Sequence, residues 1–281
     1  AYTATPFANV FINPDPDIQD LFPSNFIYSL NAPTSYIGAS AIFSEDGLHS
    51  YQLQDIADAE VIFPYKHDKH LLVQELPASL QEAVEAFLLS CAIRDLRKES
   101  LKHRSMLINV TRFTAVQGLV AKLLKEQLHV LKEDIRQYLA SDHNWSKQPR
   151  LARLHEVWSQ HYVDCGVSWY RIRKALYDAI ASVSVLTINQ ATDANDKLDY
   201  SRYKNTEKGR RVIAVGGLTL SRGLTLEGLC VSYFLRNSKA YDTLLQMGRW
   251  FGYRLGYEDI CRVWMDPDVQ ASAEARLASA E

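Results

Sequence analysis

The chain has 281 residues, of which 47% are hydrophobic and 23% are charged, and its formal net charge at pH 7 is −2. This length and composition predict a globular protein with a sizeable core, and they exclude a global electrostatic attraction to nucleic acid. No apolar run reaches the length of a membrane span and no signal peptide is recognisable, so we expect no membrane partner.

The four cysteines are scattered, and three of them lie in apolar helix or strand patterns. This usage is typical of reduced thiols and predicts a cytoplasmic location. The chain starts at Ala1 without an initiator methionine, and we therefore expect a fragment of a larger protein. Residues 1 to about 45 mix short apolar runs with Pro- and Asn-rich stretches, which indicates turns and extended linker.

Regular elements are predicted from the spacing of apolar residues along the rest of the chain. Helical spacing recurs in four segments, at 77–98, 116–138, 150–163 and 168–181. Continuous apolar runs typical of buried strands lie at 105–110, 183–189, 212–215, 229–235 and 260–265. Thr114 and Gln117 have the spacing of a capping box, which predicts the start of the second helix. Strands of this kind separated by helices predict an α/β fold with a parallel sheet covered on both faces.

The closing block, residues 211–265, contains the most informative pattern. After its first strand and a double glycine, Gly216 and Gly217, comes a Ser-Arg-Gly turn at 221–223. Glycines at a strand end let backbone N–H groups approach a phosphate closely, and Thr219 and Ser221 add small hydroxyl donors. A tight turn without any ligand is the alternative.

A short helix is predicted between the last two strands of this block, with Ser238 as a plausible N-cap. At helical spacing Asp242, Gln246 and Arg249 share one polar stripe, while a neighbouring stripe around Gly248 can pack on a sheet. One face is then fixed by packing while the other presents an amide and a guanidinium. The alternative is a surface helix whose charged side chains simply face water.

Two motifs in this block resemble a known family: GGLTLSRGLTLEGL at 216–229 and YDTLLQMGRWFGYR at 241–254. They are similar to the second RecA-like lobe of superfamily-two helicases, and more closely to the Z-one endonuclease domain family. YTATPFAN at 2–9 resembles the Thr-Ala-Thr element that closes the first lobe of such motors. SMLINVTR at 105–112 resembles the first strand of their second lobe.

The resemblance implies a motor that hydrolyses ATP while gripping DNA, in the restriction-modification and phage-defence systems where such proteins occur beside nucleases. It implies a RecA-like parallel sheet flanked by helices, the helicase C-terminal lobe, at 46–281, with an added helical insertion at about 130–180. Residues 1–45 would be the tail of a first RecA-like lobe and a linker. The implied partners are DNA, that N-terminal lobe and a nuclease subunit.

Carried over by position, Gln246 and Arg249 match the glutamine and first arginine of the arginine-finger motif of helicases. Arg254 is the candidate for the second arginine, although five residues separate the two in this chain where three is usual. An arginine suits this task because it stays charged and presents a planar fork to a phosphoryl group. These three residues are the catalytic candidates.

The same resemblance assigns a second set of residues to nucleic-acid contact and to coupling. Thr3 and Thr5 match the element that links hydrolysis to movement, and Thr111 and Arg112 match the point where the second lobe touches a strand backbone. The coupling loop is matched by Ser221, Arg222 and Gly223, but Thr225 stands where an aspartate is common. With the phosphate-loop residues, the candidates of this set are Thr3, Thr5, Thr111, Arg112, Gly216, Gly217, Thr219, Ser221, Arg222 and Gly223.

The sequence lacks the residues that would hold ATP and Mg²⁺ directly. No G-x-x-x-x-G-K-[ST] motif occurs, and no apolar strand ends in Asp-Glu. We therefore expect this segment alone to be inactive and ATP and Mg²⁺ to be bound mainly by a missing lobe before Ala1. A non-catalytic helicase-derived platform for a nuclease partner is the first alternative.

An endonuclease in its own right is the second alternative, and the residues give it little support. No restriction-type carboxylate and lysine spacing is present. His67 and His70 flank Asp68 and Lys69 and could bind a metal, but a solvated polar loop is the favoured interpretation, so no metal site is predicted. Basic clusters at 94–104, 147–153, 171–174 and 202–211 could contact phosphates or simply face solvent.

Overall fold

The computed structural model describes residues 33, 35–44, 46–139, 144–188, 198–203, 206–217, 225–235 and 252–271. The contacts divide the chain into two units, 1–34 and 35–281, and the described helices and strands all belong to the second unit. In these ranges no helix combines the length and the apolar character that crossing a bilayer requires.

Within the described ranges, six strands form one parallel sheet in the order β2-β8-β6-β3-β5-β4. A separate antiparallel pair joins β1 to β7. The strands are β1 (Tyr36–Ile37), β2 (Leu53–Asp55), β3 (Arg104–Asn109), β4 (Ser184–Ile188), β5 (Arg211–Gly216), β6 (Leu229–Phe234), β7 (Gly252–Tyr253) and β8 (Arg262–Met265). Every residue of the three central strands β3, β5 and β6 is buried, as expected for a parallel sheet that is covered on both faces.

The helices are α1 (Ala39–Phe43), α2 (Ala78–Leu96), α3 (Thr114–Asp134), α4 (Pro149–His161) and α5 (Trp169–Ile180). The longer four, α2 to α5, pack into one large core with one face of the sheet, where Ile108, Ile213 and Tyr233 point. On the other face, α1 packs against Phe234, which neighbours Tyr233 and therefore points the opposite way. Helices thus flank both faces of the sheet.

The sequence predictions of the α/β class, the parallel sheet and the main elements are confirmed. Several short elements were not predicted. Residues 36–43, which we interpreted as turns and linker, form β1 and α1, and Leu53–Asp55 form the edge strand β2 beside β8. These elements are two to five residues long, too short to show a period in the sequence.

The predicted capping box at the start of α3 is wrong. The helix begins at Thr114 with Phe113 as its N-cap. The side chain of Gln117 does not bond to the backbone N–H of Thr114, as a capping box requires. Its buried Nε2 donates instead to the backbone oxygen of Thr111 at 3.0 Å. The Thr111 hydroxyl in turn accepts a hydrogen bond from the N–H of Phe113 at 3.2 Å. The polar groups therefore fix the turn that leaves β3 rather than the first turn of the helix.

The amino-terminal edge of the sheet is held by buried ion pairs. Oδ1 of Asp95, in the last turn of α2, lies 2.8 Å from Nη2 of Arg104 and 2.8 Å from Nη2 of Arg211. Arg94, in the same turn, pairs with Glu99 at 2.6 Å. All three arginines are buried. The basic clusters around them therefore contain structural arginines, which face neither solvent nor a phosphate.

Candidate functional site

β3 and β6 are neighbours in the sheet, and the chain leaves them toward opposite edge strands. After β3 the chain continues through α3 toward β4, whereas the next strand of the sheet after β6 is β8 on the other side. A crevice outside the carboxyl ends of two such strands is the common ligand site of open α/β sheets. A cavity of about 400 Å³ lies there, lined by Phe63, Pro64, Tyr65, Lys66, His67, Val110, Thr111, Arg112, Phe113 and Leu235. We refer to it as the switch-point cleft.

One wall of this cleft comes from residues 56–76, which contain little regular structure but are well anchored. The N–H of Ile56 donates to the backbone oxygen of Met265 at 3.0 Å, which continues the edge of the sheet. Asp58 accepts the N–H of Ser79 at 2.9 Å near the start of α2. Phe63 and Val73 are buried in the main core. Packing of this kind holds the loop in one position beside the end of β3.

His67 connects this loop to the end of β3. Its Nδ1 lies 2.6 Å from the backbone oxygen of Pro64, and its Nε2 lies 2.8 Å from Oγ1 of Thr111. A carbonyl oxygen can only accept, so Nδ1 carries the hydrogen, and in the neutral ring Nε2 accepts the Thr111 hydroxyl proton. The ring edge also contacts Phe113, with centroids 5.6 Å apart. Thr111 is 2% exposed, and its hydroxyl group therefore bonds within the protein.

Two cations and one aromatic ring line the opening of the cleft. Lys66 and Arg112 are exposed, and neither makes an ion pair within the described ranges. The Arg112 guanidinium lies 4.8 Å from the centre of the Phe113 ring, so its position is partly fixed. The side chain of Tyr65 is 65% exposed. These groups suit an anionic ligand that also has a flat apolar part.

The double glycine at the end of β5 approaches the same turn from the other side. A Cβ placed on Gly217 would lie 2.8 Å from Nε2 of Gln117 and 3.3 Å from the backbone oxygen of Thr111. Gly216 closes the pairing of β5 with β4. The structure therefore brings Thr111, Arg112, Gly216 and Gly217 together at the carboxyl edge of the sheet.

Arg254 is not brought to this edge. Nη1 of Arg254 donates to Oη of Tyr257 at 3.2 Å, and the backbone N–H of Tyr257 donates to the backbone oxygen of Arg254 at 3.0 Å. Tyr257 lies shortly before the first residue of β8 and therefore at the amino-terminal edge of the sheet. The other candidate residues lie outside the described residues: Thr3, Thr5, Thr219, Ser221, Arg222, Gly223, Gln246 and Arg249. Their roles stay predictions.

A second, larger crevice of about 630 Å³ lies around Arg262 and His161, near the amino-terminal end of β8. Its two central side chains, His161 and Arg262, both have partners within the protein. Nε2 of His161 lies 2.7 Å from Oε1 of Glu82, and the Arg262 guanidinium donates to the carbonyls of Asp259, Cys261 and His161. Because these groups already have partners, the larger crevice offers less to a ligand than the switch-point cleft does.

Sequence reasoning missed Tyr65, Lys66 and His67 as parts of the site. The interpretation of residues 67–70 as a solvated loop agrees with the exposure of Asp68, Lys69 and His70, but not with His67, whose ring is partly buried against Thr111 and Phe113. The local sequence pattern does not indicate such a contact between residues that are 44 positions apart. Within the described ranges no group of three His, Cys, Asp or Glu side chains is placed to hold a metal ion. The two exposed cations of the cleft, Lys66 and Arg112, fit a phosphate and do not fit Mg²⁺.

The fold is an α/β domain with a parallel sheet, and a cleft lined by two cations lies at the carboxyl edge of that sheet. Residues 79–280 match the model of the Z1 domain, and the chain belongs to the Z1 domain family. The match begins in α2 and includes both Thr111–Arg112 and the closing block, but not the loop that carries Tyr65 and His67. No curated protein and no solved structure matches this chain.

Proposed function

We propose that this chain is the second RecA-like lobe of a DNA-dependent ATPase, a helicase- or translocase-like subunit of a cytoplasmic restriction-modification or phage-defence system. In this proposal a first RecA-like lobe binds ATP and Mg²⁺, and the present chain supplies the arginine finger and contacts to DNA. The Z1 domain is associated with endonucleases, which supports a nuclease subunit as the partner.

The observation that carries the proposal is the approach of Gly217 to the turn at Thr111 and Arg112. The backbone of Gly217 comes so near that a Cβ would lie 3.3 Å from the Thr111 oxygen. Two motifs that are far apart in the sequence thus meet at one edge of the sheet. In the proposed motor, this proximity would let the loop that senses the nucleotide act on the turn that carries Arg112.

Arg249 is the proposed finger, with Gln246 as its nucleotide-facing neighbour. A phosphoryl-transfer transition state spreads negative charge over several oxygens, and a guanidinium delivered across the lobe interface stabilises that charge. Arg254 is a weaker candidate for the finger because its side chain donates to Tyr257 at the opposite edge. Thr219, Ser221, Arg222 and Gly223 would relay the nucleotide state to DNA, and Thr3 and Thr5 would link hydrolysis to movement.

The donors present at the carboxyl edge fit the DNA part of this proposal. Arg112 is exposed at the end of β3 and can contact a phosphate, whereas Thr111 is buried and positions the turn. Contacts of this kind do not depend on sequence and weaken as salt increases. When ATP and Mg²⁺ are bound, they would supply the phosphoryl group and the charge neutralisation, and this chain would hold its arginine against that charge.

The test is Arg249→Ala in the full-length protein that includes the first lobe. We expect DNA-stimulated ATP turnover to fall by about 10³-fold or more, with unchanged circular dichroism and melting temperature. Arg136→Ala is the matched control, because Arg136 is an exposed arginine paired with Glu133 on the surface of the helical layer. Unchanged turnover in Arg249→Ala would refute the proposed mechanism. Metal-dependent cleavage of plasmid by this chain alone would favour an endonuclease.

A further inference from the structure

The loop that precedes the Z1 match supplies half of the switch-point cleft. Residues 63–67 lie before residue 79, where the family match begins. They are nevertheless attached to a family motif, since His67 bonds to Thr111 at 2.8 Å. Phe63 is 3% exposed, so its burial in the core also fixes the loop. The loop is therefore part of the site, and contacts within the protein hold it in place.

The floor of the cleft is apolar and its rim is cationic. Phe63 and Val110 are buried beneath the opening, with Leu235 beside them. Tyr65 is 65% exposed, and it lines the cleft together with the exposed cations Lys66, its neighbour in the chain, and Arg112. An exposed aromatic ring with cations beside it offers a face on which a base can stack, while the cations bind the neighbouring phosphates.

The dimensions and chemistry of the cleft suit one nucleotide of a strand. A volume of about 400 Å³ is at the lower end of the range for small-molecule sites and accommodates a base with its sugar. A base can reach the Tyr65 ring only when it is not stacked in a duplex, which selects a single strand. The described lining residues include no carboxylate to hold a ribose or a metal, so a free nucleoside triphosphate would find too few partners.

We propose that Tyr65 is a stacking platform for one base of single-stranded DNA, and that Lys66 and Arg112 bind the phosphates on either side of that base. The inference rests on the proposed nucleic-acid function and deepens it, because it adds a contact from outside the family domain. His67 and Thr111 are positioning residues in this arrangement: their hydrogen bond holds the platform against the end of β3.

The test is equilibrium binding of a labelled oligothymidylate of about 12 nucleotides to the full-length protein without ATP, followed by fluorescence anisotropy. Tyr65→Ala should weaken binding by about 5- to 100-fold, while Tyr65→Phe should retain most of it. Lys66→Ala and Arg112→Ala should each weaken binding and make the slope of log K against log salt less negative by about 0.7.

Matched controls are available on the helices. Tyr170 is 58% exposed on α5 beside Lys174, and Lys125 is exposed on α3. Tyr170→Ala and Lys125→Ala should bind the strand as the wild type does. Unchanged strand binding in Tyr65→Ala would overturn the inference, as would equal weakening in Tyr170→Ala.

Two further outcomes separate this inference from the proposed motor. Competition by free thymidine monophosphate at the same concentration of nucleotide units as the oligomer would overturn the strand assignment in favour of a free nucleotide. Weakened strand binding in Tyr65→Ala supports the inference even if Arg249→Ala leaves ATP turnover unchanged, because the binding assay contains no ATP. Loss of turnover in Arg249→Ala with intact strand binding in Tyr65→Ala would keep the motor and reject the platform.

Discussion

Oγ1 of Thr111 lies 2.8 Å from Nε2 of His67, and this hydrogen bond joins the end of β3 to a loop 44 positions earlier in the chain. The same hydroxyl accepts the N–H of Phe113 at 3.2 Å. One small side chain therefore satisfies an imidazole and a backbone amide at the point where the switch-point cleft opens. The residue that the family motif assigned to DNA contact acts in the structure as a support for its neighbours.

Thr111→Val should lower the free energy of unfolding by about 1 to 3 kcal/mol, because it leaves the Nε2 of His67 and the N–H of Phe113 without their partner. It should also increase proteolytic cleavage within 64–70, since the loop loses its attachment. Urea unfolding and limited proteolysis measure the two effects. Thr114→Val is the control, because Thr114 is an exposed residue at the start of α3. Equal behaviour of the two variants would contradict the anchoring role.

Gly217→Ala should destabilise the protein although the backbone there needs no glycine conformation. The added methyl would lie 2.8 Å from Nε2 of Gln117, whose hydrogen bond to the Thr111 oxygen is buried. Moving that amide leaves a buried acceptor unpaired, at a cost of about 1 to 3 kcal/mol. Thermal unfolding of Gly217→Ala gives the magnitude.

Two further variants test this explanation. Gly217→Ala combined with Gln117→Ala should be less destabilised than the sum of the single changes, because the truncated side chain no longer obstructs the methyl. Gly118→Ala should stabilise α3 by about 0.5 to 1 kcal/mol, since a Cβ there meets open space in a helix. Simple additivity of the double variant would mean that Gln117 is not the obstacle.

Asp95→Asn should destabilise the fold by about 3 kcal/mol. It removes the one charge that Arg104 and Arg211 share, each at 2.8 Å, and leaves two buried guanidinium groups without that counter-charge. Glu133→Gln, which breaks the exposed pair with Arg136, should change little. Chemical denaturation compares the two. A similar small effect for both variants would show that the buried pairs contribute no more than a surface pair does.

Glu85 gives the fold a pH dependence. Burial raises the pKa of its carboxyl group to about 7, and this exceeds the opposing effect of Arg153, whose Nε lies 3.1 Å away. The folded chain therefore keeps a proton that the unfolded chain releases as the pH rises from 4.5 to about 7, and stability falls over that window. Below the window Glu85 is protonated in both states.

Glu85→Gln removes this titration. We expect the free energy of unfolding of the variant, relative to the wild type, to rise between pH 5 and pH 8 by on the order of 2 kcal/mol. Urea denaturation at several pH values across this range measures it, with the exposed Glu60→Gln as the control. A difference that stays constant with pH would show that Glu85 does not titrate as described.

The fold was largely predictable because its signals are long or dense. The central strands are continuous apolar runs, and α2 carries apolar residues at helical spacing over most of its length. Short elements such as Tyr36–Ile37 were missed because their partners, in this case Gly252–Tyr253, lie more than 200 residues away. Whether such a short strand forms depends on its pairing with a distant segment and not on the local pattern of apolar residues.

The site was predictable only in part, for two physical reasons. The motifs named Thr111, Arg112 and Gly217, but these residues meet because β3 and β5 are parallel neighbours in the sheet, and the sequence did not predict that strand order. The wall around His67 depends on a contact between distant segments, and nothing local indicates it. Sequence reasoning also treated Arg104 and Arg211 as surface cations, because a run of basic residues does not show that Asp95 reaches them inside the fold.

The shared carboxylate of Asp95 has a consequence for how the sheet assembles. Arg104 and Arg211 are opposite each other in the pairing of β3 with β5. If β5 slid along β3 by two residues, the apolar faces would still match, yet one guanidinium would be carried away from the anion that both now share. The carboxylate of Asp95 thus favours the observed register of β3 and β5 over registers that are shifted by two residues.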